Sequence, residues 1–109
     1  MLENRDYCDY ETCVALKELG FPIRRIKVKG IEKNVPILLY EAQKFLREEK
    51  DIDIQIMISD HNLRWYYVEI YRNGFCKTLK NGYAIKNFIT YEKALLEGVR
   101  EAVKILKEK

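Results

Sequence analysis

The segment 52–71, with the sequence IDIQIMISDHNLRWYYVEIY, determines the expected fold because apolar and polar residues alternate along both of its halves. A period of two is typical of a strand that buries one face. In the first half the apolar positions are isoleucines, namely Ile52, Ile54, Ile56 and Ile58. In the second half they are Tyr66, Val68 and Ile70. The segment therefore predicts two neighbouring strands of one sheet, joined by a polar turn at residues 60–62.

The other face of these two strands is rich in aromatic residues. Trp65, Tyr67 and Tyr71 alternate with the buried positions, and Met57 belongs to the same face of the first strand. With an arginine at each end of the aromatic strand, the candidate binding face comprises Met57, Arg64, Trp65, Tyr67, Tyr71 and Arg72. In the alternative interpretation these aromatics pack beneath the N-terminal helix or a second subunit, since aromatic residues favour strands in any protein.

Two helices are expected in the first half of the chain. Asp9 is a suitable N-cap for a helix over residues 10–19, and Gly20 can end it in a left-handed conformation. A second helix begins at Pro36, whose missing N–H is tolerated in a first turn, and continues to about Lys50. Its apolar residues recur at three- and four-residue spacing, as Leu39, Ala42, Phe45 and Leu46.

Between these helices, residues 23–29 predict a strand in which Ile26 and Val28 face inward. Residues 30–34 are expected to be a polar connection. This part of the chain is basic, with one acid, Glu32, among Arg24, Arg25, Lys27, Lys29 and Lys33. Such a stripe is more typical of a solvated strand edge than of a phosphate site.

After the aromatic strand, Asn73-Gly74 predicts a tight hairpin turn because both residues tolerate positive φ. Residues 75–79 are expected to form a third strand, and Asn81-Gly82 marks another turn. Residues 83–89 are either a fourth strand or a loop. Thr90 is a suitable N-cap for the last helix, whose apolar side comprises Leu95, Leu96, Val99, Ala102, Val103 and Leu106.

These elements predict a single α+β domain over residues 1–109. In residues 36–107 the order is helix, three- or four-stranded antiparallel sheet, helix, with an N-terminal helix and strand added. The two helices cover the isoleucine face of the sheet. The aromatic face is left to meet solvent, the N-terminal segment, another subunit or a ligand.

The composition is ordinary for a globular protein, with 48% hydrophobic and 34% charged residues among 109. No apolar run approaches the roughly 20 residues that span a bilayer, and residues 1–6 lack the features of a signal peptide. We therefore expect a cytoplasmic protein with no membrane partner. The net charge of +3 is too small to indicate a nucleic-acid partner by itself.

No catalytic, cofactor or metal site is predicted. Cys8, Cys13 and Cys76 contain no Cys-x-x-Cys pair, and His61 is the single histidine, so a four-ligand zinc site would need carboxylates. We interpret the cysteines as reduced, small apolar residues. The chain also lacks a phosphate-binding glycine loop and a nucleophile elbow.

Part of the chain resembles a known group of proteins. The segments YEAQKFLRE (40–48) and TYEKAL (90–95), with the alternating isoleucines and the Trp-Tyr-Tyr strand between them, resemble small proteins of Bacteroidetes and their phages or prophages. The resemblance covers residues 36–107. This chain has Phe45 where that group usually has Trp, and Lys93 in place of a second Glu. The group has no known activity, so the resemblance implies a phage or mobile-element context and no mechanism.

Three functions fit these patterns. The first is a small non-enzymatic interaction or accessory protein, of phage or mobile-element origin, that binds a protein partner or a second copy through the aromatic face. The alternative is a nucleic-acid-binding module in which bases stack on the aromatics and the flanking arginines contact phosphates. This alternative requires the basic stripe to lie beside the aromatic face, where it would add Arg24, Arg25, Lys27 and Lys29. The third, an RNA-cleaving enzyme, depends on His61 as general acid. It is motivated only by the place of His61 between the first two strands, where small toxin ribonucleases with the same order of helix, strands and helix also have a histidine.

Overall fold

A computed structural model describes residues 6–60, 65–79, 88 and 90–108. In those residues the elements are α1 Tyr10–Glu18, β1 Arg25–Val28, β2 Ile31–Asn34, α2 Leu39–Lys50, β3 Asp53–Asp60, β4 Trp65–Arg72, β5 Phe75–Leu79 and α3 Tyr91–Lys107. The strands form two antiparallel sheets, one of β1 and β2 and one in the order β3-β4-β5. The mixed α+β fold with helices at both ends of the chain is confirmed.

The three-stranded sheet has the two faces that the alternation predicts. Its register pairs Ile54 with Ile70 and Ile56 with Val68, so the apolar residues of β3 and β4 share one face. Ile54, Val68 and Ile70 are buried in the core. The predicted turn between β4 and β5 is confirmed, since Asn73 and Gly74 have φ of 50° and 83°.

Two helices cover the isoleucine face, and the third packs on one of them. α3 packs across β4 and β3, α2 packs on α3 and β3, and α1 packs on α3. Gly98 lets α3 approach the sheet closely, because a Cβ at this position would lie 2.7 Å from Cγ2 of Ile54. Ion pairs from Arg100 to Asp9 and from Lys107 to Glu18 (2.5 Å) connect α3 to α1.

Two of the predicted helix starts are confirmed by their caps. The Asp9 side chain accepts a hydrogen bond from the Thr12 backbone N–H at 2.8 Å, and Thr90 Oγ1 accepts one from the Lys93 N–H at 3.1 Å. The predicted start of α2 is wrong. Pro36 lies before the helix, in a segment where the Cys8 N–H donates to the Ile37 carbonyl at 2.7 Å, and this pairing holds the chain extended up to Leu38.

The basic segment differs most from the prediction. Residues 31–34 form β2 and not a polar connection, and the Lys29-Gly30 turn has φ of 52° and 80°. Ile26 and Val28 are 51% and 41% exposed, so the prediction that they face inward is wrong. The physical reason is that β1 and β2 pack mainly against each other, and none of the other described elements packs extensively over them.

Several predictions fall outside the described residues. These are the His61-Asn62 part of the first turn, the Asn81-Gly82 turn and residues 83–89 other than Phe88. Phe88 is buried, and its backbone exchanges two hydrogen bonds with Tyr66, at 2.7 and 2.8 Å. No helix in the described part of the chain has the length and hydrophobicity to cross a bilayer.

Candidate functional site

The face of the three-stranded sheet that points away from the helices, here called the outer face, is the candidate site. By register its described residues are Asp53, Gln55, Met57, Trp65, Tyr67, Glu69, Tyr71, Cys76 and Thr78. No described element packs extensively against this face, because α2 and α3 contact the sheet on its buried side. The alternative that the aromatics lie beneath the N-terminal helix does not hold, since α1 packs on α3.

The aromatic residues of the outer face follow β4, with Glu69 between Tyr67 and Tyr71. Tyr67 lies directly opposite Met57, and Tyr71 lies between Asp53 and Cys76 in the register. Side chains opposite one another in a sheet have Cβ atoms about 4.5–5.5 Å apart, so these neighbours are in contact range. Met57 and Tyr71 are exposed, whereas Tyr67 is half-buried.

Hydrogen bonds within the outer face satisfy several of its polar groups. The Tyr71 hydroxyl donates to Glu69 Oε1 at 2.8 Å, and Gln55 Nε2 donates to Asp53 Oδ2 at 2.7 Å. The hydrogen bond to Glu69, followed by that to Cys76, raises the pKa of Tyr71 to about 12. The phenol therefore remains a proton donor throughout the physiological range.

The charged residues in the described part of the outer face are acidic. Asp53 and Glu69 are carboxylates, and none of the other described residues of the face is a lysine or arginine. A surface that binds a phosphate backbone needs cations beside its stacking aromatics. The described outer face therefore fits a protein partner better than a nucleic acid.

The structure brings four of the six candidate binding residues together. Met57, Trp65, Tyr67 and Tyr71 share the outer face. Arg72 pairs with Phe75 and points to the helix side, where it lines a shallow cleft with Ile105 of α3. Arg64 lies outside the described residues.

The basic residues of β1 and β2 are also separated from the outer face. Their two-stranded sheet is anchored to the helix layer, where Arg24 forms an ion pair with Glu41 of α2 at 2.6 Å. The nucleic-acid hypothesis requires the basic stripe to lie beside the aromatics, and the described residues do not show this arrangement. Sequence reasoning missed Glu69 as the partner of Tyr71, although its spacing of two along a strand was visible.

The described residues offer little for catalysis or metal binding. Cys8, Cys13 and Cys76 are all free, and burial, together with the neighbouring Cys13, raises the pKa of the Cys8 thiol to about 12. No group of three or more metal-ligating side chains occurs among the described residues. His61, on which the RNA-cleavage hypothesis depends, lies outside them.

Comparisons of the chain with protein-family models, curated proteins and solved structures found no match. The resemblance to phage and prophage proteins therefore stays a prediction. The geometry of the outer face remains as the basis for inferring a function.

Proposed function

We propose that this chain is a non-enzymatic accessory protein, of phage or mobile-element origin, that binds another protein through the outer face. The observation that carries the proposal is an aromatic sheet face on which no described element packs. Tyrosine, tryptophan and methionine are enriched at protein interfaces. Tyrosine and tryptophan combine a large contact area with few rotatable bonds, and methionine adapts its shape to the partner.

The polar groups of the outer face suit the same role. Tyr71 presents its ring to the partner while its hydroxyl is already bonded to Glu69. A partner can therefore cover this ring without leaving the hydroxyl unsatisfied, which would cost free energy on burial. Asp53 and Glu69 favour a partner with basic residues around an apolar centre.

Site-specific photo-cross-linking tests the proposal. A photoreactive phenylalanine analogue is placed at Tyr67 or Tyr71, and at Tyr10 as the control, since Tyr10 is exposed on α1. We expect one protein to cross-link in the cell of origin from positions 67 and 71 and not from position 10. Its binding should then be reproduced with the two purified proteins.

Substitution measures how much the outer face contributes to that binding. Tyr67→Ser and Tyr71→Ser should each weaken binding by about tenfold or more, as expected of aromatic residues at the centre of an interface. Tyr10→Ser should leave the affinity unchanged. Equal labelling from all three positions, or full affinity in both outer-face variants, would overturn the proposal.

Tryptophan fluorescence from the same surface can test the nucleic-acid alternative. Trp65 is the single tryptophan of the chain and lies on the outer face. Single-stranded oligonucleotides that stack there would quench its fluorescence at about 50 mM salt, and the quenching would weaken steeply as salt is raised. Such a result would replace the protein-binding proposal.

A further inference from the structure

The β1–β2 hairpin is amphipathic. The register pairs Ile26 with Lys33 and Val28 with Ile31, so these four side chains share one face, here called the aliphatic face. Arg25 and Lys27 project from the opposite face, together with Glu32 and Asn34. Lys29 occupies the turn at the end of the hairpin.

No described element packs extensively on the aliphatic face. Ile31 is 61% exposed, and Ile26 and Val28 are also exposed. A two-stranded hairpin with one apolar face is marginally stable in isolation and gains stability when that face is buried. Three neighbouring exposed aliphatic residues on one face therefore indicate a contact surface and not a solvated edge.

Two clefts adjoin the base of the hairpin, and they differ in charge. One, of about 590 Å³, combines aromatic residues with three carboxylates and one lysine. We call it the acidic cleft, and its main lining residues are Phe21, Tyr40, Glu41, Phe45, Glu48 and Glu49. The other, of about 460 Å³, lies beside α1 and contains Lys17 and no carboxylate.

We propose that the hairpin of one copy docks its aliphatic face into the acidic cleft of a second copy. Ile26, Val28 and Ile31 would pack on the aromatic residues of the cleft, among which Tyr40 is exposed. Lys29 and Lys33 would lie near Glu48 and Glu49. The charges select this cleft over the one beside α1, whose lysine would repel the hairpin.

The position of the acidic cleft allows two copies to make this contact reciprocally, as a symmetric dimer. Arg24, at the base of the hairpin, forms an ion pair with Glu41, which lines the acidic cleft of the same chain. Because the two surfaces are neighbours, one two-fold axis near the hairpin can place each hairpin in the other copy's cleft. The contact is then made twice, which doubles the apolar area it buries.

Light scattering and sedimentation of the full chain test the dimer. Between about 5 and 500 µM, where small interfaces associate, the mass should rise towards twice the 13.1 kDa of the monomer. Ile26→Ser/Ile31→Ser should weaken association by about tenfold or more by removing exposed aliphatic area. The melting temperature of this variant checks that the domain remains folded.

Charge reversal identifies the partner surfaces. Lys29→Glu/Lys33→Glu and Glu48→Lys/Glu49→Lys should each weaken self-association by about tenfold at low salt, and mixing the two variants should restore a dimer of unlike copies. Arg25→Glu/Lys27→Glu is the matched control, because it makes the same charge change on the opposite face of the hairpin. It should retain the wild-type affinity within about threefold.

The outcomes separate this proposal from protein binding by the outer face. A chain that stays monomeric over the whole range would overturn it, and so would a mixture of reversed variants that fails to associate. A dimer that is indifferent to all hairpin variants and shifts the Trp65 emission on dilution would assign self-association to the outer face. A dimer disrupted by Ile26→Ser/Ile31→Ser with constant Trp65 emission would support the hairpin contact.

Discussion

Replacement of Gly98 by alanine tests the close packing of α3 on the sheet. A Cβ at this position would lie 2.7 Å from Cγ2 of Ile54 and 3.0 Å from Cγ1 of Val68. Both neighbours are fully buried and β-branched, so their side chains have few other rotamers available. The helix must therefore move away from the sheet to admit the methyl group.

Two opposing effects set the change in the free energy of unfolding that Gly98→Ala causes. Alanine is favoured over glycine inside a helix by about 0.8–1 kcal/mol. Overpacking of a filled core typically costs about 1–3 kcal/mol. Because the contact with Ile54 is too short for real Cβ atoms, we expect the packing cost to exceed the helix propensity. The net loss should be about 1 kcal/mol or more, which lowers the melting temperature of a domain near this size by about 4–8 °C per kcal/mol.

The assay is thermal and urea unfolding of Gly98→Ala, Ile54→Leu and the double variant. Leucine lacks the Cγ2 methyl group that meets the new Cβ, so the double variant should recover about 0.5 kcal/mol or more of coupling energy. Lys104→Ala compared with Lys104→Gly, at an exposed position of the same helix, measures the propensity effect separately. A Gly98→Ala variant that is more stable than wild type by the full propensity gain would refute the close approach.

Three further predictions concern single ionisable groups. Burial alone would raise the pKa of Asp9, but hydrogen bonds from Thr12 and Arg100 lower it from 3.8 to about 2. The ionised Asp9 therefore stabilises the folded state fully above about pH 5, and this stabilisation is lost as the pH falls towards 2. The free energy of unfolding of Asp9→Asn should accordingly differ from that of wild type at pH 7 and converge with it near pH 2. Glu69→Gln should lower the pKa of Tyr71 from about 12 towards its ordinary value, which ultraviolet titration of the phenol against wild type measures. A thiol reagent at pH 8 should label exposed Cys76 in the native chain and buried Cys8 only on unfolding, and rapid native labelling of Cys8 would contradict its burial.

The sequence was most informative where a short local pattern was compatible with a single local structure. Alternation over residues 52–71 predicted both faces of β3 and β4, since a period of two leaves no choice of face once one side is buried. Asn73-Gly74 predicted its turn for a similar reason, because both residues accept positive φ at little cost. The caps at Asp9 and Thr90 were equally local signals.

Sequence reasoning failed where the answer depended on distant parts of the chain. Alternation at Ile26 and Val28 shows that a strand has an apolar face, but not that another element covers it. The Lys29-Gly30 turn was missed because lysine is an unusual residue at a positive φ, which costs roughly 1–2 kcal/mol in an L-residue. The face of Arg72 could have been predicted from the sequence. It lies an even number of residues from Val68 and Ile70, so it shares their face of the strand and not the face of the aromatics.

The described core does not include the aromatic residues of the outer face. The cluster of buried residues joins α1, α2 and α3 to the inner side of the sheet, and it includes Ile54, Val68 and Val99. Trp65, Tyr67 and Tyr71 do not belong to it or to the partly buried residues packed against it. β-Branched residues at these positions would also favour a strand. The described core therefore does not account for the aromatic composition of the outer face, and this is the reason for proposing a protein partner there.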